Sequence, residues 1–233
     1  MTLNIDLHIH SKYSFDSVLE PRDIVRTAAK KGLSIIAVTD HDSIRGGIET
    51  KKLSSDYGVE VIVGCEFRTS KGDLIGLFLD EMFRANSPEE IVEEIRERGG
   101  VSVLPHPCRL GLPDIELARM VDVIEAYNGR TSLKRNQKAL SLAVALTKPA
   151  IAGSDAHFRQ EIGRTKTRLH CDTTSLELKE EQFRDSELLF DNHIRRYLTL
   201  SKYVNAVRSG SLRNIIDLTY AEFLAGMERS ADV

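Results

Sequence analysis

Between residues 4 and 153 short apolar runs alternate with amphipathic ones, which confines the chain to strand–helix–strand units around a largely parallel sheet. Residues 4–10 (NIDLHIH) alternate at period 2, as a strand does. Residues 21–31 put Ile24, Val25, Ala28 and Ala29 on one helical face and stop at Gly32. Residues 34–39 read as a buried strand, 47–57 as a weaker helix, and 59–65 and 74–79 as strands three and four. Ser87-Pro88-Glu89-Glu90 is a capping box that opens a helix to about Arg98. Residues 101–104, 121–126 and 149–153 are strands five to seven, with a helix over 133–146 between the last two. Seven such strands fit an open sheet or a barrel. The step from Glu66 to Asp73 is too short for a crossover helix, so strands three and four are expected to pair as a hairpin with Glu66 and Asp73 side by side.

After residue 168 the pattern changes. Residues 173–208 are highly charged, with Phe183, Leu188, Leu189, Ile194, Tyr197 and Leu198 near helical spacing, and 212–227 reads as a second amphipathic helix. We therefore expect a helical C-terminal extension over 169–233 beside a first unit over 1–168. At 233 residues with 41% hydrophobic and 29% charged, the chain can bury a core without disulfides. No apolar run is long enough to span a bilayer, and residues 1–20 hold two His, two Asp and a Glu in place of a signal peptide. Three Cys, an odd count, suit a reducing cytoplasmic compartment. A net charge of −3 gives no footprint for duplex nucleic acid.

Five of the seven histidines, His8, His10, His41, His106 and His157, fall at or just past strand ends. Asp6, Asp16, Asp40, Asp42, Glu66, Asp73 and Asp155 accompany them. In a closed α/β barrel those ends converge on one face, where active sites are built. His8 and His10 share a strand face, and imidazole with carboxylate suits zinc, iron or manganese. Alone, such a pair is as well explained by core hydrogen bonding; equivalent placement of five histidines is not. Asp42 and Ser43 suit capping of the next helix.

DLHIHSKYSFDS (6–17), TDHDS (39–43), Glu66 in GCEF, PHP (105–107) and GSDAH (153–157) resemble, in order, the motifs of the PHP family, named from polymerase and histidinol phosphatase. The resemblance covers residues 3–168. It implies a distorted (β/α)7 TIM-like barrel and two to three divalent metal ions, Mn, Zn or Fe. It implies His8, His10, Glu66 and Asp155 around one ion, Asp16, His41 and His157 around a second, and Glu66 with His106 around a third. Members often supply a histidine to the third site shortly after the glutamate; here Asp73 stands in that stretch.

Such a site implies a phosphoesterase in which metals activate a water and screen an anionic phosphoryl group. Arg109 and Arg130 are candidates for binding that group, and His157 for ligation together with leaving-group protonation. Small phosphorylated substrates are expected, including nucleotides and short oligonucleotides. Alternatives are a 5′→3′ exonuclease on RNA or DNA ends, a catalytically silent PHP binding module, and C–N hydrolysis on a related barrel. Intact candidate ligands argue against silence, and the lack of a strand-end lysine suited to carbamylation argues against C–N hydrolysis.

Overall fold

The computed structural model describes residues 2–170, 183, 186–191 and 195–210. One sheet of nine strands runs in the order β7-β6-β5-β4-β3-β2-β1-β8-β9. Its strands are β1 (Thr2–Ile9), β2 (Ile35–Val38), β3 (Glu60–Thr69), β4 (Gly72–Leu77), β5 (Val101–Leu104), β6 (Val123–Asn128), β7 (Ala150–Gly153), β8 (Lys166–His170) and β9 (Glu187–Leu189). The helices are α1 (Pro21–Lys30), α2 (Arg45–Lys52), α3 (Pro88–Glu97), α4 (Ile115–Met120), α5 (Leu133–Ala145) and α6 (Arg195–Arg208). The pairs β1–β2, β2–β3, β5–β6 and β6–β7 are parallel, and β4 is antiparallel to both neighbours. The expected hairpin is therefore present, but Asp73 pairs with Arg68 and lies diagonal to Glu66, whose own partner is Ile75.

The sheet curls into a nearly closed, distorted TIM-like barrel. Past β7, Ala156 forms a parallel bridge with Ile9, and His10 N–H donates to Ala156 O at 2.8 Å. At the other end of the seam Thr167 Oγ1 bonds both Ala152 N and Ala152 O. The interior is filled by Leu3, Ile5, Leu7, Ile35, Ala37, Ile62, Ile75, Val103, Val123 and Ile151. Outside, Ile24, Val25 and Ala28 of α1 pack on Ile9, Ile36, Val38 and Val61. Helices α3, α4 and α5 cover β3 to β6 through Ile91, Val92, Ile95, Leu117, Ala118 and Ala143.

Ser87 caps α3 by accepting from Glu90 N, as the capping box implies. Ser43 Oγ accepts from Arg45 N, the first residue of α2, at 3.2 Å, but Asp42 does not cap that helix. Its N-cap is Ile44, and Asp42 instead accepts from Arg68 N and Nε. The extension is helical at α6, but Leu188 and Leu189 lie on strand β9, paired with β8. Phe183, 2% exposed, joins the barrel core. Short spacing coincidences explain the difference: two adjacent leucines fit either period. The boundary expected at 168/169 falls within β8. Ile194 and the helix expected over 212–227 lie outside the described residues. Among the described residues no helix is long and apolar enough to cross a membrane.

Candidate metal centre

Alternation decides which strand-end side chains face inward. Glu66 is in phase with inward Ile62, Asp73 with Ile75, His41 with Ile35 and Ala37, and Asp155 with Ile151. On β1 the phase has to be broken, because Leu3, Ile5 and Leu7 already fill the interior. The β1–β2 register shifts between Asp6 and Ile9, after which His8 and His10 face the centre and Ile9 packs outward near α1. Bulges re-aim side chains in this way beside active sites. His106 (φ 34°) and Asp155 (φ 53°) sit in the left-handed region, strained backbone that neighbours must hold in place.

The centre is dense. His10 Nε2 lies 3.1 Å from both His8 Nε2 and Glu66 Oε2, and 3.4 Å from Asp155 Oδ1. His106 Nε2 is 3.1 Å from Glu66 Oε1, and His41 Nδ1 is 3.4 Å from Glu66 Oε2. His157 Nε2 is 2.9 Å from Asp16 Oδ2. Three groups have ligand atoms within 4.8 Å of one another: His8, His10 and Asp155; His10, Asp16, His41 and His157; and His8, Glu66 and His106. Asp73 stands at the edge, 3.9 Å from His106 Nε2.

Hydrogen bonding fixes the protons. Glu125 Oε1 accepts from His8 Nδ1 at 3.0 Å, and the Asp155 carbonyl accepts from His157 Nδ1 at 2.9 Å. Ser14 Oγ gives its own proton to Asp40 Oδ1 and so accepts from His10 Nδ1 at 2.9 Å. Each of these rings, when neutral, then presents a lone pair on Nε2 toward the centre. Two such lone pairs at 3.1 Å, on His8 and His10, cannot bond each other; a cation between them would satisfy both. Asp16 Oδ1 and His41 Nδ1 are buried with no hydrogen-bond partner, which fits the same conclusion.

Charge points the same way. The carboxylates of Glu66, Glu125 and Asp155 lie around the guanidinium of Arg109, which bonds Asp155 Oδ2. Burial alone would push His10 down, but the carboxylates of Asp155 and Glu66 outweigh it and raise its pKa to about 9. His8 is likewise raised against burial by Glu125, Asp155 and Glu66. Glu66 and Asp155 are held well below the ordinary carboxylate range despite burial, Glu66 first by His8 and Asp155 first by Arg109. Burial, with His10 and Arg130 nearby, lowers His157 to about 4. The cluster thus demands positive charge, which protons or metal ions can supply.

The two arginines sit differently. Arg109 donates to Asn128 Oδ1 (2.7 Å) and Thr131 Oγ1 (3.2 Å) as well as to Asp155, so it lines the centre directly. Arg130 is buried and donates to Glu161 Oε1 at 3.0 Å and Ser201 Oγ at 2.7 Å. Glu161 in turn accepts from His157 N at 2.8 Å. From the far end of α6, Arg208 donates to Ser14 O at 2.6 Å. The helix therefore braces the chain next to both His157 and Asp16.

Sequence reading did not single out Glu125, Asn128, Ser14 or Glu161. Glu125 carried a signal: a charge at the inward phase of a buried run, in step with Val123. It accepts from His8, from His106 N (3.0 Å) and from Asn128 Nδ2 (2.9 Å). Gly153, paired with Asn128, leaves room for it, because a Cβ there would lie 2.4 Å from Glu125 Oε1 and 2.8 Å from His8 Cβ.

Sheet and cluster together define a TIM-like barrel with an imidazole-rich, acidic centre at its strand ends. The model of the PHP domain matches residues 6–140 and that of the PHP-associated region residues 134–186; the chain belongs to the PHP family. The protein MJ1587 of Methanocaldococcus jannaschii is 50% identical over 141 residues, 54% of this chain and 82% of that protein. A 5′-3′ exoribonuclease of Haemophilus influenzae is 31% identical over 119 residues, 49% of this chain and 43% of that protein. A two-domain Bacteroides vulgatus structure, containing a predicted PHP-like metal-dependent phosphoesterase, superposes with TM-score 0.70 at 21% identity, covering 82% of this chain and 65% of that one.

Proposed function

We propose that this protein is a metal-dependent phosphoesterase that hydrolyses small phosphomonoesters, nucleotides among them. His8, His10, Asp16, His41, Glu66, Asp73, His106, Asp155 and His157 would hold two to three divalent ions of manganese, zinc or iron. The observation that carries this reading is the set of imidazoles whose Nδ1–H groups are tied back to acceptors, so that Nε2 of each ring is turned toward the carboxylates of the centre. Bound ions would activate a water and screen the phosphoryl oxygens.

The chain's own residues supply the rest. Arg109, held flat by Asn128 and Thr131, offers its guanidinium edge to a phosphoryl oxygen at the cost of part of its pairing with Asp155. His157, with a pKa near 4, is neutral at pH 7, and its Nδ1 proton is committed to a carbonyl. That favours ligation over proton donation. Arg130 acts on His157 through Glu161. Residues 1–168 would carry the chemistry, and the extension over 169–233 would brace it through α6. Cys65 and Cys108, both buried and unpaired, suit a reducing cytoplasm.

Turnover on a substrate panel tests the reading. A mononucleotide should be hydrolysed with higher kcat/KM than a long single-stranded RNA. The reverse order would favour the second reading, a 5′→3′ exonuclease, which the similarity to the H. influenzae exoribonuclease supports. No turnover on any phosphoester with metal bound would leave a silent binding module.

A further inference from the structure

Beside the third group of candidate ligands lies a cavity of about 300 Å³. Asp73, His106 and Arg109 of the candidate centre line it, Leu104, Pro107, Leu110, Leu112 and Pro113 supply apolar lining, and Lys71 and Asp114 add one charge of each sign. Leu110 and Leu112 are 95% and 94% exposed, and nothing in the barrel's packing uses them. The loop that carries them is pinned at both ends. Arg109 is bonded to Asn128, Thr131 and Asp155, and its carbonyl accepts from Arg135 Nη1. Asp114 caps α4 by accepting from Leu117 N at 2.9 Å. Between these anchors residues 110–113 make no hydrogen bond among the described residues.

We infer that Leu110 and Leu112 form an apolar subsite for the leaving group of the substrate, and that this group carries an apolar face about one ring in size. The inference rests on the phosphoesterase reading and adds the substrate class to it. A phosphoryl group between Arg109 and the cluster directs its ester substituent out of the charged centre, and this cavity is continuous with that centre through His106 and Asp73. Its volume matches the lower end of small-molecule sites, enough for one ring system. An apolar face on the leaving group covers the two leucines, while Lys71 and Asp114 in the same lining can meet polar groups at its edge.

Binding of two non-hydrolysable mimics to the manganese-loaded protein tests this, with phenylphosphonate compared to methylphosphonate by calorimetry. The wild type should bind phenylphosphonate about tenfold more tightly, the usual scale for added apolar contact in a pocket. In the Leu110→Ser, Leu112→Ser double variant that gap should close while methylphosphonate binding is unchanged. Both leucines are exposed, so the fold should be unaffected. Equal affinities in the wild type, or a gap that survives in the variant, would overturn the inference but leave the phosphoryl site intact. Failure of the wild type to bind either mimic would instead remove the phosphoesterase reading and the subsite with it. A wild type that self-associates through these leucines, with no difference between mimics, would assign the pair to a second copy of the chain and also overturn it.

Discussion

The inner and outer parts of the cluster are held in different ways. His8, His10, Glu66 and Asp155 lie on or just past strands β1, β3 and β7, and their side chains are at most 3% exposed. Their neighbours are backbone-anchored: Glu125 behind His8, Ser14 and Asp40 behind His10, and the bridge of Ala156 to Ile9 beside Asp155. Asp16, His41 and Asp73 are more open, at 17%, 12% and 32%, and two of the three carry buried atoms with no hydrogen-bond partner. An inner ligand is thus positioned before any ion arrives, whereas an outer one depends on the ion to complete its contacts. The difference predicts that inner ions bind tightly and outer ones exchange.

The largest effect on this contrast should come from Glu125. All of its contacts are donors, namely His8 Nδ1–H, the His106 N–H and the Asn128 amide. Only a carboxylate can accept them all, since a glutamine must turn an NH₂ toward a donor. Glu125→Gln should weaken the tightest ion, and activity with it, by about 10–100-fold, the usual cost of losing an outer partner of a ligand. An unchanged titration would remove the rigid-inner-half argument. Asp73→Ala should act at the other extreme, lowering activity by about tenfold and releasing only the weakest ion, while Asp73→His retains it. Wild-type turnover and stoichiometry in Asp73→Ala would make the residue a bystander.

A smaller effect concerns stability without metal. The His10 pKa is raised to about 9, against an ordinary value of 6.5. A raised histidine contributes stability that is complete below pH 6.5 and disappears as pH climbs through 9. His8 shifts the same way. Chelator-treated protein should therefore lose several degrees of Tm between pH 6.5 and 9, and metal-loaded protein should not. A flat profile for the stripped protein would mean that the inner histidines do not offset Glu66 and Asp155.

Much of this was legible in the sequence, for physical reasons. Strands β1 to β7 announce themselves by period and by β-branched runs, and the short step from Glu66 to Asp73 allows only a hairpin. Histidines at strand ends are conspicuous because an imidazole there needs a partner. What escaped depends on three-dimensional register. The shift in β1 that turns His8 inward leaves no mark on an alternating sequence. Strand β8 buries only Thr167 and Leu169 between charged neighbours, and α4 has six residues, too few for a period. The tie from Arg208 to the loop of Asp16 spans 194 residues, and no local pattern encodes it.

Elemental analysis of protein purified without chelators tests the central claim most directly. Imidazoles with committed Nδ1 protons, set among buried carboxylates, should retain two to three equivalents of manganese, zinc or iron per chain, the inner ones surviving dialysis. Protein that carries no metal, and that neither binds nor responds to added manganese or zinc, would contradict it.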